Sequence, residues 1–181
     1  CLAALTREGA AVTVVDNASL DQSAAVAEAH GARVIRNPRN EGYGRANNIG
    51  IRAAESPFVL ICNPDAVLED GALAALLAAA EAYPDAALLA PRIVEPDGRF
   101  FYQFRSLLAP CLQNPSGARR FPEGDCCTPF LSGAVLLARR DVFLRLGGFD
   151  DSIFLFFEDD DLCRRGSDSR ATPVPIPSAG A

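Results

Sequence analysis

Several absences narrow the reading of this 181-residue chain before any motif is considered. It contains no methionine, even at position 1, and a single histidine, His30. The missing start residue, with no signal-peptide pattern, leads us to expect a chain that begins downstream of its gene's start. Among the six cysteines (Cys1, Cys62, Cys111, Cys126, Cys127, Cys163) there is no C-x-x-C pair. With one histidine, that spacing excludes a zinc site or a dithiol redox motif, and reduced thiols are expected. No apolar run reaches the about 18 residues that a bilayer-spanning helix requires, since the alanine-rich stretch Ala72 to Ala82 is too short. Positive charge is scarce: 17 Lys and Arg against 23 Asp and Glu leave a net charge of -6, which repels a phosphate backbone and argues against a nucleic-acid partner. No G-x-G-x-x-G fingerprint supports a dinucleotide-binding fold. No internal repeat is visible.

The apolar content of 49% is ample for one buried core. Strand-like runs alternate with helix-like stretches, which predicts an α/β fold with a mostly parallel sheet flanked by helices. Strands are expected at 12–16, 32–36, 58–62, 86–91 and 131–138. Helices are expected at 21–30, with Ser19 as cap, and at 44–54, 70–82, 140–146 and 158–165. The Glu95-Pro96-Asp97-Gly98-Arg99 run signals a turn between extended segments, and 106–127 reads as a long loop. Beyond Arg165 the pattern ends in an irregular, proline-rich tail, 166–181.

Four clusters could carry chemistry. In the first, Asp16, Asn17 and Ser19 follow a strand, at the sheet end where open α/β folds bind ligands; the same residues also suit a plain turn and helix cap. In the second, Asn40-Glu41-Gly42-Tyr43-Gly44-Arg45-Ala46-Asn47-Asn48 places two glycines at a helix entry. There the backbone can approach an anion, although a glycine-rich helix entry without a ligand reads alike.

The third cluster, Cys62-Asn63-Pro64-Asp65, delivers an oxygen-bearing side chain and an acid from a buried strand into a loop. Magnesium commonly takes one or two carboxylates and fills its shell with phosphate and water, so Asp65 would suffice beside a diphosphate; Asn-Pro-Asp is also ordinary turn chemistry. The fourth holds Glu158, Asp159, Asp160 and Asp161 at a helix start. Four adjacent carboxylates repel one another, and the helix dipole returns only about 0.3 to 1 kcal/mol for a well-placed acid. The aromatic residues just before them are expected to shield one acid and raise its pKa toward that of a general base; a solvated acidic helix start is the alternative.

Taken in order, the four clusters resemble the GT-A glycosyltransferases of family 2, in particular the bacterial branch with rhamnosyltransferase-like enzymes of cell-surface polysaccharide assembly. The resemblance spans Cys1 to Arg165. It implies a GT-A catalytic domain over 1–165 that lacks its first strand, in a chain cut short at both ends. It places Asp16 and Asn17 on the nucleotide and Asn40, Gly42, Gly44 and Asn48 along the donor pocket. Asn63 and Asp65 take the metal positions, for Mg2+ or Mn2+, with Asn63 standing where the two-acid form of the motif has a carboxylate. Gly133 falls in the segment beside the acceptor, Glu158 and Asp161 flank the substrates, and Asp159 matches the catalytic base.

The implied reaction is an inverting transfer of a sugar from a nucleotide-diphosphate donor, a dTDP- or UDP-sugar, to a hydroxyl of a saccharide or lipid-linked acceptor. It implies a cytoplasmic location, at the inner face of the membrane if segments outside this chain bind there peripherally. Against it stands a degenerate domain that binds nucleotide-sugar without turnover. The resemblance offers no match for His30 to the family's metal-joining histidine, and His30 reads as a surface residue.

Overall fold

A computed structural model of the chain describes residues 1–98, 124–168 and 174–175. The chain opens with α1 (Leu2–Arg7), β1 (Thr13–Asp16), α2 (Ser23–Ala29), β2 (Arg33–Arg36) and α3 (Tyr43–Ala53). It continues through β3 (Phe58–Cys62), α4 (Ala72–Ala82), β4 (Leu88–Ala90), β5 (Val135–Arg139), α5 (Arg140–Arg145), α6 (Glu158–Asp168) and β6 (Val174–Pro175). No helix among the described residues is long and apolar enough to cross a membrane.

The α/β class expected from the alternating pattern is present, with strand pairing of both senses. β1 and β2 form a parallel pair from Thr13↔Arg33 to Asp16↔Arg36. The second sheet runs in the order β3-β5-β4-β6. In it β5 lies antiparallel to both β3 and β4, while β6 joins β4 in parallel. Alternating βα units predict the parallel pairs, but β5 enters after the segment that follows β4 and is inserted between two earlier strands, against their direction.

Val135 to Ala138 are all buried, as befits a central strand covered on both faces. The alternation splits them between two clusters. Leu136 and Ala138 pack with Leu131, Phe143, Phe149 and Leu162, while Leu137 packs with Leu76, Ala80 and Leu89 under α4. At about 25 cal/mol per Å2 of apolar surface, burying one such leucine side chain is worth roughly 2 kcal/mol.

Two expectations need correction, and one helix had not been expected. α1 was not foreseen; it is short, its N-cap Cys1 makes no side-chain cap bond, and it is tied down instead by Arg7 to Asp70 at 2.7 Å and by the Gly71 N–H to Glu8 at 2.8 Å. Ser19 does not cap α2, whose N-cap is Gln22; the Ser19 N–H bonds Asp16 Oδ1 at 3.2 Å instead. The tail expected to be irregular contributes β6, a two-residue strand on the free edge of β4, where Pro175 is tolerated because an edge residue can do without a donor. The 95–98 turn forms, closed by the Gly98 N–H on Glu95 O at 2.8 Å. The extended segment beyond it, and positions 106–123 of the expected loop, lie outside the described residues.

Candidate active site

The carboxyl ends of β1 and β2 deliver Asp16, Asn17 and Asn37 into one corner, where Asn17 is the organiser. Its Nδ2 donates to Asn40 Oδ1 and to Gly42 O, each at 3.0 Å, while its Oδ1 accepts from Asn37 Nδ2 at 2.9 Å. Asn40 Oδ1 in turn accepts the Gly42 N–H at 2.9 Å. The corner therefore brings Asn17 to Asn40 and Gly42, which lie more than twenty residues further along the chain, and sets the entry angle of α3.

That entry is tight. Gly42 has φ +86°, and a Cβ there would meet the Phe154 carbonyl oxygen at 2.4 Å. The Tyr43 N–H donates to that same carbonyl at 3.1 Å, so α3 begins against the 149–157 segment. Two residues on, a Cβ at Gly44 would sit 2.9 Å from Phe149 Cβ. Asn48 is buried and engaged inside the protein: its amide bonds both backbone groups of Phe149 and also Asp151 Oδ1 at 3.0 Å. Its place is in the joint between α3 and the 149–151 turn.

The third and fourth clusters meet across the turn before β5. The Asn63 N–H donates to Ala134 O at 2.8 Å, which continues the β3–β5 ladder by one rung. From the adjoining residue, the Gly133 N–H donates to Asp159 Oδ2 at 3.0 Å. Residues 133 and 134 thus tie the Asn63-Pro64-Asp65 loop to the carboxylate at the start of α6. Asp65 lies in the exposed turn just beyond Asn63.

Three of the four acids at the start of α6 differ in surroundings. Burial pushes Asp159 above the ordinary aspartate range, although the Gly133 and Asp160 amides pull the other way. Burial also raises Glu158, whose Oε2 is enclosed without a hydrogen-bond partner among the described residues. Asp161 is paired with Arg165 at 2.7 Å, and that guanidinium donates to the Leu146 and Gly148 carbonyls.

The aromatics expected to shield the acids are themselves largely exposed. Phe154, Leu155, Phe156 and Phe157 are 47 to 70% exposed. Phe156 and Phe157 hold φ near +66° and +68°, a left-handed turn uncommon for bulky residues that carries their rings outward. Beside the acids stand Gly44 of α3, where a Cβ would lie 3.8 Å from Glu158 Cβ, and Gly133, whose N–H bonds Asp159.

Sequence reasoning missed Tyr43. Its hydroxyl donates to Gly133 O at 2.5 Å, and its ring stands edge-on to Phe149 with centroids 5.8 Å apart. A tyrosine at a helix start reads as packing, and its partner lies 90 residues away.

A cation site can be tested against these side chains. Among the described residues no group of three or more His, Cys, Asp or Glu could hold a metal. Asp65 is exposed and without an ion-pair partner among the described residues. One free carboxylate and the Asn63 amide oxygen fit a magnesium-like ion that takes its remaining ligands from a diphosphate and water, and do not amount to an all-protein cage.

Comparison with known proteins meets the geometry here. The family profile "Glycosyl transferase family 2" matches residues 1–147. The chain is 31% identical over 207 aligned positions, 98% of its own length and 67% of the relative's, to an N-acetylglucosaminyl-diphospho-decaprenol L-rhamnosyltransferase of Mycobacterium tuberculosis. Among solved structures, S. aureus TarS 1-349 superposes with a TM-score of 0.71 at 18% identity, covering 94% of this chain and 49% of that one. GalNAc-T7 with UDP, GalNAc and Mn2+ gives a TM-score of 0.68 at 15% identity, covering 97% and 40%. The Pyrobaculum calidifontis mannosyltransferase PcManGT with GDP-Man and Mn2+ gives 0.66 at 18% identity, covering 96% and 48%. The chain spans less than half the length of each of these three solved structures.

Proposed function

Because the chain belongs to glycosyl transferase family 2, with the GT-A fold, we propose that it is the donor-binding and catalytic part of an inverting enzyme that passes a sugar from a nucleotide-diphosphate donor to an acceptor hydroxyl. The acceptor we propose is a saccharide carried on a lipid diphosphate at the cytoplasmic face of the membrane, in cell-surface polysaccharide synthesis. The name of the mycobacterial relative, an N-acetylglucosaminyl-diphospho-decaprenol L-rhamnosyltransferase, supports that acceptor class, and the donor we propose is a dTDP- or UDP-sugar.

One observation carries the reading: the 133–134 turn joins the Asn63-to-Asp65 loop on one side and Asp159 on the other. A diphosphate held near Asp65 and an acceptor hydroxyl near Asp159 would then face each other across that turn. In a single displacement the acceptor oxygen forms its bond to the anomeric carbon as the carbon–phosphate oxygen bond breaks. The departing diphosphate keeps the bonding pair, and Asp159 takes the hydroxyl proton.

Burial keeps Asp159 more basic than a surface aspartate, while two backbone N–H groups hold it available as the anion. Asn17, Asn40 and Gly42 shape the nucleotide side, with Asp16 beside them at the end of β1. Gly44 and Asn48 hold α3 against the 149–151 turn, and Gly133, Glu158 and Asp161 set the acceptor side. Asp65 and the Asn63 oxygen would hold Mg2+ or Mn2+; bound there, the ion would neutralise the leaving diphosphate. With the leaving group so neutralised, a second carboxylic acid of the kind used by glycosidases is not required. The catalytic domain in this proposal covers 1–165.

The test is transfer across a panel of nucleotide-sugars, comparing Asp159→Asn with the unaltered protein. Retained donor affinity with turnover lowered about 100-fold or more is the expected result for loss of a general base. Unchanged turnover removes Asp159 from that role, and donor binding without transfer in the unaltered protein would mark the non-catalytic alternative.

A further inference from the structure

We infer that Tyr43 is a positioning residue for the acceptor-activating carboxylate: its hydroxyl pins the Gly133 carbonyl, and the N–H of the same glycine holds Asp159 in place. The inference rests on the proposed role of Asp159 as base and adds the device that aims it.

Two bonds meet on one residue. Tyr43 Oη donates to Gly133 O at 2.5 Å, and Gly133 N donates to Asp159 Oδ2 at 3.0 Å. Glycine has the freest backbone of any residue, so nothing in Gly133 itself fixes the direction of its N–H. An anchor on its carbonyl fixes the 133–134 peptide plane and so narrows the φ and ψ, and with them the N–H directions, that Gly133 can take. The two residues are also shaped for each other, since a Cβ on Gly133 would fall 2.9 Å from the Tyr43 hydroxyl and 3.4 Å from the ring.

Tyr43 is itself rigid. Its ring lies edge-on to Phe149, its N–H is bonded to Phe154 O at 3.1 Å, and its carbonyl accepts from Asn47 Nδ2 at 3.0 Å. Burial and the nearby Asp159 and Glu158 push the phenol far up, so it remains a donor at every working pH. A core tyrosine that merely filled space would not need its one polar atom on the residue that holds the base.

The Gly133 N–H lowers the Asp159 pKa, so slackening that bond raises it. Tyr43→Phe keeps the ring and removes only the donor. We expect kcat to fall about tenfold, a fraction of the 100- to 10,000-fold that a general base supplies. Donor KM should stay within about twofold, and the acidic limb of the kcat profile should move to higher pH. The Asp159 carboxyl, followed by 13C NMR titration without substrate, should shift the same way.

A folded Tyr43→Phe protein with limb and carboxyl titration unmoved overturns the inference, whether or not its kcat falls. Should Tyr43→Phe not fold, Gly133→Ala decides by the same two readouts, because its methyl displaces the hydroxyl. Asp159→Asn separates the two claims. If it retains turnover, the base assignment fails; if it is inactive while Tyr43→Phe behaves as wild type, the positioning role alone fails.

Discussion

The side-chain amide of Asn48 closes both backbone groups of Phe149: its Nδ2 donates to the Phe149 carbonyl at 2.9 Å and its Oδ1 accepts the Phe149 N–H, also at 2.9 Å. One buried side chain thus does for an irregular segment what a neighbouring strand does within a sheet. A Cβ at Gly148 would fall 2.5 Å from Asn48 Oδ1, so the turn closes down on the amide from the other side.

Removing that amide should be costly. Asn48→Ala leaves a buried donor and a buried acceptor without partners, at about 1–3 kcal/mol each, and should lower unfolding free energy by roughly 2–5 kcal/mol in a urea titration. Asn48→Asp keeps the size but sets a carboxylate against Phe149 O and Asp151, so its loss should be greater at pH 8 than at pH 4. A loss below about 0.5 kcal/mol for Asn48→Ala would mean that the joint does not depend on this side chain.

The sequence reveals the chemistry-bearing clusters and their order, because each sits where an element changes type, and such changes are marked by Gly, Pro, Asn and Asp. β3 is found at its observed bounds, since a continuous apolar run ending in Asn63-Pro64-Asp65 has few other readings. α1 is missed because Leu2–Arg7 is too short to show a period. The antiparallel setting of β5 is missed because Val135 to Ala138 is apolar on both faces, and such a run says that a strand is central without saying which way it runs. Tyr43 is missed because its role depends on a bond to Gly133 across 90 residues of chain, which no local pattern encodes.

Gly42 should tolerate no side chain. Its φ of +86° already disfavours other residues, and a methyl would meet a backbone oxygen, Phe154 O, at 2.4 Å, with no flexible side chain able to yield. Gly42→Ala should cost at least about 1–3 kcal/mol, in the range for a strained backbone position, and should displace the 153–157 segment. Protease cleavage near Phe154 to Phe157 should become faster in the native protein. An unchanged cleavage rate would contradict this close approach.

Glu158 carries a stability prediction with a definite sign in pH. Its folded pKa is raised by burial, so the folded state holds the proton more tightly than the unfolded one. Stability is therefore highest below the ordinary glutamate range and is lost as pH rises through the raised value, and at neutral pH the buried charge is a net cost. Glu158→Gln removes that charge at constant size. Its Tm should exceed that of the unaltered protein at pH 7.5, with about 2–4 °C for each kcal/mol recovered, and the gain should vanish near pH 4. A gain of equal size at both pH values would assign the effect to packing instead.

Asp65 is the last test, because it separates the cation from the base. If this carboxylate is the main protein ligand of a divalent ion completed by the donor diphosphate, Asp65→Asn should weaken Mn2+ binding in the presence of a nucleoside diphosphate by about tenfold or more, since even residues that only support a ligand cost 10- to 100-fold. Without the nucleotide, both proteins should bind Mn2+ weakly and alike, as a site with one carboxylate and one amide oxygen cannot complete a coordination shell by itself. Asp65 lies in an exposed turn outside the core, so its replacement should leave Tm within about 1 °C, as expected for a surface substitution. Mn2+ titration followed by electron paramagnetic resonance, with and without a nucleoside diphosphate, reads the effect directly. Equal binding by both proteins when the nucleotide is present would move the cation away from residue 65, while leaving the arrangement of Tyr43, Gly133 and Asp159 untouched.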